Sequence, residues 1–175
     1  MGGLRGGNDG YSLIEVMTVI AVVGIILVIA APTIQNQIAV QEIRGAGREV
    51  VEVLRDARDS AMNEGVPRYV LFTPPRTYQI WRYDSAAADW VPEEPPAPLP
   101  NTVEFSTSDV TFPAVVDAPT GTGESVPADA AYFDTRGRYP YQDGAASSYT
   151  ITLQGGVGRT ITLTVWRNTG QVTGL

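Results

Sequence analysis

The chain has no cysteine, no histidine and no lysine; all 12 of its basic residues are arginine. Without cysteine there are no disulfides and no thiolate metal sites, and the redox compartment stays open. Without histidine the commonest general base and the commonest metal ligand are gone. An enzyme built without these residues, and without lysine, would need a catalytic carboxylate pair. No such constellation stands out, so no catalytic residue, cofactor or metal is assigned. The formal net charge of −7 argues against general nucleic-acid binding, where a basic face supplies most of the affinity. Charge is also scarce locally: between Asp9 and Glu42, Glu15 is the sole charged residue. The length suits one domain of ordinary size.

That gap holds a long apolar run. Tyr11–Ala31 makes about 31 Å of helix at 1.5 Å per residue, enough to cross a bilayer core. A carboxylate inside such a helix costs roughly 2.5–3.5 kcal/mol at its centre and normally has a partner. Three readings compete. A secretory signal peptide needs a basic leader and a small-residue cleavage site, but Arg5 and Asp9 cancel and no A-x-A-like site follows Pro32. A plain membrane anchor leaves Glu15 unexplained unless it snorkels to the interface. The third reading cuts the chain between Gly10 and Tyr11 and keeps the helix.

Gly10-Tyr11-Ser12-Leu13-Ile14-Glu15-Val16-Met17 resembles the class III signal of type IV prepilins and type II secretion pseudopilins. The resemblance implies cleavage after Gly10 by prepilin peptidase and N-methylation of Tyr11. Tyr11 departs from the family's usual phenylalanine but keeps an aromatic ring. Glu15 falls at the fifth mature position, as the family requires, and Pro32 where family helices often kink. By that analogy the Glu15 carboxylate pairs with the α-amino group of a neighbouring subunit's Tyr11. In low dielectric that contact offsets the desolvation of both charges and fixes subunit register.

In order, residues 1–10 form the leader, 11–36 the transmembrane and assembly half of the helix, 37–66 an amphipathic half, and 67–175 a β-rich domain. Ile34, Ile38, Ile43, Ala46, Val50, Leu54, Ala57 and Ala61 make a helical apolar stripe. Arg48/Glu52 and Arg55/Asp59 stand at i,i+4 on the polar face. Gly65 and Pro67 stop the helix, which runs roughly 80 Å from Tyr11 to Glu64. After Pro67 the period becomes 2: Arg68–Thr73 and Thr77–Tyr83 read as strands around a Pro74-Pro75-Arg76 turn. Asp84–Asn101, with five prolines, reads as a loop rather than a core element. Thr102–Phe112 offers one or two strands. In Pro113–Ala130 the acids Asp117, Glu124 and Asp129 lack D-x-D spacing, so no calcium loop is expected. Ser148–Leu153 and Thr160–Trp166 alternate around Gly155–Arg159 as a hairpin, and Gln171–Leu175 is a short closing strand.

Phe133-Asp134-Thr135-Arg136-Gly137-Arg138, the alternating hairpin and Gly170-Gln171-Val172 resemble the C-terminal domain of the GspH/FimT family of minor pseudopilins and minor pilins. The implied architecture is α+β, the pilin fold: a long N-terminal helix, transmembrane then amphipathic, packed on an antiparallel β-sheet. The stripe from Val50 to Ala61 is expected to face Val70, Phe72, Ile80, Ile151, Leu153, Ile161, Leu163 and Val165. The resemblance further implies a single-pass subunit of the inner membrane with its domain in the periplasm, drawn into a pilus or secretion filament with other subunits. Some relatives of the FimT type bind DNA in competence. Here Arg136, Arg138, Arg159 and Arg167 are the candidate contacts, although the terminal strand carries no arginine.

Overall fold

The computed structural model describes residues 11–106, 126–127, 129–138, 148–166 and 168–174. The chain forms two compact units, Met1–Ile38 and Ala39–Leu175. One helix, α1 (Leu13–Glu64), runs through both. It starts at Ser12, whose carbonyl accepts the amides of Glu15 (3.0 Å) and Val16 (3.3 Å). It stops at Gly65, whose φ of +66° is a left-handed conformation that glycine adopts without a Cβ penalty.

In the first unit the apolar side chains stay uncovered: Leu13, Ile20, Ile25 and Ile29 are all exposed. The most apolar window of the helix has a mean hydropathy of 2.9 with none of it buried, so by length and composition it is able to cross a membrane. Polar positions within it bond back to the helix, as where the Thr18 hydroxyl donates to the Ile14 carbonyl at 2.8 Å.

In the second unit α1 meets two antiparallel sheets. The first is ordered β3 (Asp89–Pro92), β2 (Thr77–Asp84), β1 (Arg68–Thr73), β6 (Ala130–Phe133), with β4 (Ala97–Pro98) also pairing with β2. The second is ordered β5 (Glu104–Phe105), β7 (Ser148–Gln154), β8 (Thr160–Trp166), β9 (Val172–Thr173). The expected α+β architecture, a long helix on antiparallel strands, is present, with the strands divided between two sheets. Phe105 sits at the junction: it pairs with Leu153 in the second sheet, while its amide donates to the Pro75 carbonyl in the β1–β2 turn at 2.8 Å. Two-residue strands such as β5 carry too little alternation to be read from sequence.

The core is one cluster. From α1 it takes Ile43, Ala46, Val50, Val51, Leu54, Ala57 and Ala61; from the sheets Val70, Phe72, Ile151, Leu153, Leu163 and Val165, with Ile80 and Ile161 packed at its margin. The β7–β8 register Tyr149↔Val165, Ile151↔Leu163, Leu153↔Ile161 puts one apolar face inward. The expected stripe holds from Ile43 onward, whereas Ile34 and Ile38 remain exposed. The β7–β8 connection, a short 3-10 turn at Gly156–Gly158, approaches α1 at its Ala39–Ile43 level. A Cβ on Gly155 would meet the Ile43 side chain at 3.0 Å.

The proline-rich stretch Asp84–Asn101 departs from its reading as a loop. It contributes β3 and β4 and buries Leu99, and Trp90 packs against Tyr69, Tyr83 and Tyr132. Pro92 closes β3, an edge strand of its sheet, where a missing N–H costs no ladder bond. That is why the prolines did not prevent pairing. Of Thr102–Phe112, residues 104–105 form β5, and the segment from 107 lies outside the described residues.

Candidate functional site

The N-terminal candidates lie where the chain enters α1. Tyr11 is 83% exposed and precedes the helix. Glu15 occupies the first turn of α1 with an exposed side chain. Ser12 and Glu15 have the S-x-x-E spacing of a helix start, and a carboxylate there is favoured by the free amides and the helix dipole. Gly10 lies outside the described residues. Pro32 stands in the interior of α1, which continues past it. Its missing N–H leaves the Val28 carbonyl without the usual helical donor.

Among the described residues the arginine candidates do not form one cluster. Arg136 and Arg138 flank Gly137 in a turn that Asp134 builds: its carboxylate accepts the amides of Arg136 (2.8 Å) and Arg138 (2.7 Å). Asp134 also takes the Arg138 guanidinium at 3.3 Å, so that charge is already paired. The turn docks on the far end of α1. The Gly137 carbonyl accepts from Arg58 Nε at 3.2 Å, and a Cβ on Gly137 would lie 2.6 Å from the Met62 sulfur. Arg159 is exposed on the β7–β8 connection, which touches α1 near Ile43. From Ile43 to Arg58 is about 22 Å of helix. Arg167 lies outside the described residues.

The sequence reading missed the strongest electrostatic feature. Arg68 is fully buried at the start of β1. Its guanidinium forks onto Glu93, Nε to Oε2 at 3.0 Å and Nη2 to Oε1 at 3.1 Å, and Nη2 also donates to Glu64 Oε2 at 2.6 Å. One buried cation thus ties the end of α1, the start of β1 and the residue after β3. The bonds to Glu93 raise the Arg68 pKa against the opposing effect of burial, and the same bonds lower that of Glu93. Glu64 stands four residues before Arg68, a spacing visible in the sequence; Glu93 is a long-range partner that no local pattern marks. Two further contacts hold α1: the Tyr78 hydroxyl donates to Glu49 at 2.8 Å and the Thr102 hydroxyl to Glu42 at 2.7 Å. Burial first, then the bond to Glu49, pushes the Tyr78 phenol well above its ordinary range. By contrast Arg48/Glu52 and Arg55/Asp59 close no ion pair, Asp59 turning instead to Arg58 at 3.4 Å.

Among the described residues no group of three or more acids converges to hold a metal. Asp117 and Glu124 lie outside those residues.

Comparison with known proteins meets this geometry at both ends. The Prokaryotic N-terminal methylation motif matches residues 5–31, the stretch that contains Gly10, Tyr11 and Glu15. Among curated proteins no sequence matches the chain. Among solved structures the fold is similar to the minor pseudopilin EpsH of the type 2 secretion system of Vibrio cholerae. That match has a TM-score of 0.52 and 12% identity, over 77% of this chain and 96% of that one. A second structure of EpsH from the same organism aligns at a TM-score of 0.44 and 13% identity, over 79% of this chain and 97% of that one. The chain therefore joins a prokaryotic N-terminal methylation motif to the α+β fold of a minor pseudopilin.

Proposed function

We propose that the chain is a minor pilin or pseudopilin, a structural subunit of a type IV pilus-like or type II secretion-like filament. The observation that carries this reading is continuity. The helix that begins in the methylation motif is the same helix whose second half is packed on the two sheets. Prepilin peptidase cuts between Gly10 and Tyr11, and Tyr11 is N-methylated. The apolar half of α1 then holds the subunit in the inner membrane, with the folded domain on the periplasmic side. The new amino group stands four residues before Glu15, the one carboxylate of the apolar span. In a neighbouring subunit the two charges offset each other's desolvation, which gives Glu15 a role in docking and Pro32 one in the helix bundle. The protein acts by assembling with other subunits, and no catalytic group or cofactor enters.

Mass spectrometry of the mature protein tests this. The expected N-terminus is Tyr11 carrying one added methyl group; a protein that starts elsewhere overturns the reading. A DNA-binding role in a competence pilus gains no support from the arginines: one of them is paired with Asp134, and Arg159 is far from the Arg136–Arg138 turn. A salt-dependent gel shift with the soluble domain is its test.

A further inference from the structure

The C-terminal end of α1 carries a sulfur that neither processing nor assembly uses. Met62 is the sole methionine of the second unit, and with no cysteine in the chain it is that unit's sole sulfur. It is 37% exposed. Its inner side is pressed against the Asp134–Arg138 turn: a Cβ on Gly137 would lie 2.6 Å from Met62 Sδ and 3.1 Å from Arg58 Cγ. Arg58 stands four residues earlier, on the same face of the helix. Its Nε donates to the Gly137 carbonyl at 3.2 Å. Gly170 closes in from the other side, where a Cβ would overlap that same carbonyl and lie 2.9 Å from Arg58 Nε. Met62, Arg58, Gly137 and Gly170 form one stack, which fastens the end of α1 to two turns of the sheets.

A thioether placed so is open to a two-electron oxidant such as hydrogen peroxide. The sulfur lone pair attacks one peroxide oxygen, an S–O bond forms and the O–O bond breaks. The other oxygen leaves as water with both hydrogens, so sulfur is oxidised and peroxide reduced. The sulfoxide is polar and chiral where the thioether was apolar. On the Gly137 side the new oxygen has no room, because even a Cβ does not fit there. Turned away from Gly137, it is still an acceptor beside Arg58, since Met62 Sδ and Arg58 Cγ both lie within 3.1 Å of the same point. It then competes with the Gly137 carbonyl for the Arg58 guanidinium, the one hydrogen bond between α1 and the turn among the described residues.

We propose that Met62 is a site of reversible oxidation, whose sulfoxide releases the Asp134–Arg138 turn from α1. The inference goes beyond the subunit reading and does not depend on it. The test treats the full chain, in membranes, with hydrogen peroxide. Peptide mass spectrometry counts the added oxygen at Met62 apart from that at Met17, and hydrogen exchange follows the amides of Arg136, Gly137 and Arg138. Met62 should gain one oxygen, and those amides should exchange at least about tenfold faster, the factor that loss of a hydrogen bond to a charged group corresponds to. The β7–β8 amides should keep their protection, which separates local release from unfolding. Met62→Leu keeps the apolar contact without the chemistry, so peroxide should leave its exchange unchanged. Met62→Gln supplies a polar group without oxidant and should show the fast exchange from the start. Methionine sulfoxide reductases for both epimers should return the oxidised chain to its original rate. A Met62 that stays unoxidised in the folded chain overturns the proposal, as does a sulfoxide that leaves the turn protected. Acceleration that Met62→Leu shares, that spreads equally to β7–β8 or that the reductases do not reverse overturns it too, and so does wild-type exchange in Met62→Gln.

Discussion

Removing Glu93 should destabilise the domain more than removing Arg68, although both changes break the same ion pair. The Arg68 side chain is 1% exposed, whereas that of Glu93 is 33% exposed. Glu93→Ala strands a buried guanidinium, a change that typically costs about 3–5 kcal/mol when the remaining charge has no other partner. Arg68 keeps Glu64 at 2.6 Å, so the expected loss is smaller, about 2–3 kcal/mol. Arg68→Met keeps an apolar stem in the buried site and leaves two carboxylates that water can reach. Its expected cost is about 1 kcal/mol, because relief of the buried cation's desolvation offsets most of what the lost hydrogen bonds contributed. The assay is urea unfolding of residues 37–175 at neutral pH, a fragment that retains the whole described core, since that begins at Ile43. With an m-value of about 1–3 kcal/mol/M, Glu93→Ala lowers the midpoint by about 1–2 M and Arg68→Met by about half that or less. Arg68→Met costing as much as Glu93→Ala would refute the claim that burial of the cation controls the asymmetry.

The same pair sets a pH dependence. The folded-state pKa of Glu93 is depressed below its ordinary 4.5, so its contribution is complete above that value and drains away as pH falls toward the lower folded value. The Arg68 pKa is raised by its bonds to Glu93 and Glu64, so the guanidinium stays charged throughout. Glu93→Gln should flatten the stability profile in that acid window, read by urea midpoints from neutral pH downward; an unchanged profile would count against the linkage. Leu54→Asp puts an unpaired charge at a fully buried site, costing several kcal/mol out of a typical total of about 5–15. Circular dichroism of the 37–175 fragment should show no cooperative melt, while membrane insertion of the full chain persists. At Gly170 φ is +61° and a Cβ would sit 2.2 Å from the Gly137 carbonyl. Gly170→Ala should therefore cost at least about 1–3 kcal/mol, and a melting temperature equal to wild type would contradict that close approach.

The N-terminal half of this protein was decided locally, and for that reason it was legible in the sequence. An apolar run with one carboxylate needs only helix geometry and membrane thickness to interpret. The Gly65–Pro67 stop and the β7–β8 hairpin depend equally on neighbours in the chain. What tertiary structure alone decided is pairing at a distance. The sequence showed Glu64 four residues before Arg68, but Glu93 arrives through a proline-rich stretch that gave no strand signal. Strands as short as β4 and β5 exist because an established neighbour offers them a ladder, so their split into two sheets had no local signature. The dispersal of Arg136, Arg138 and Arg159 follows the same rule: their turns dock at separate levels of α1 because Met62 packs against Gly137 and Ile43 against Gly155. Short-range periodicity records which face of an element is buried. Which elements share that burial is settled only when the chain closes on itself.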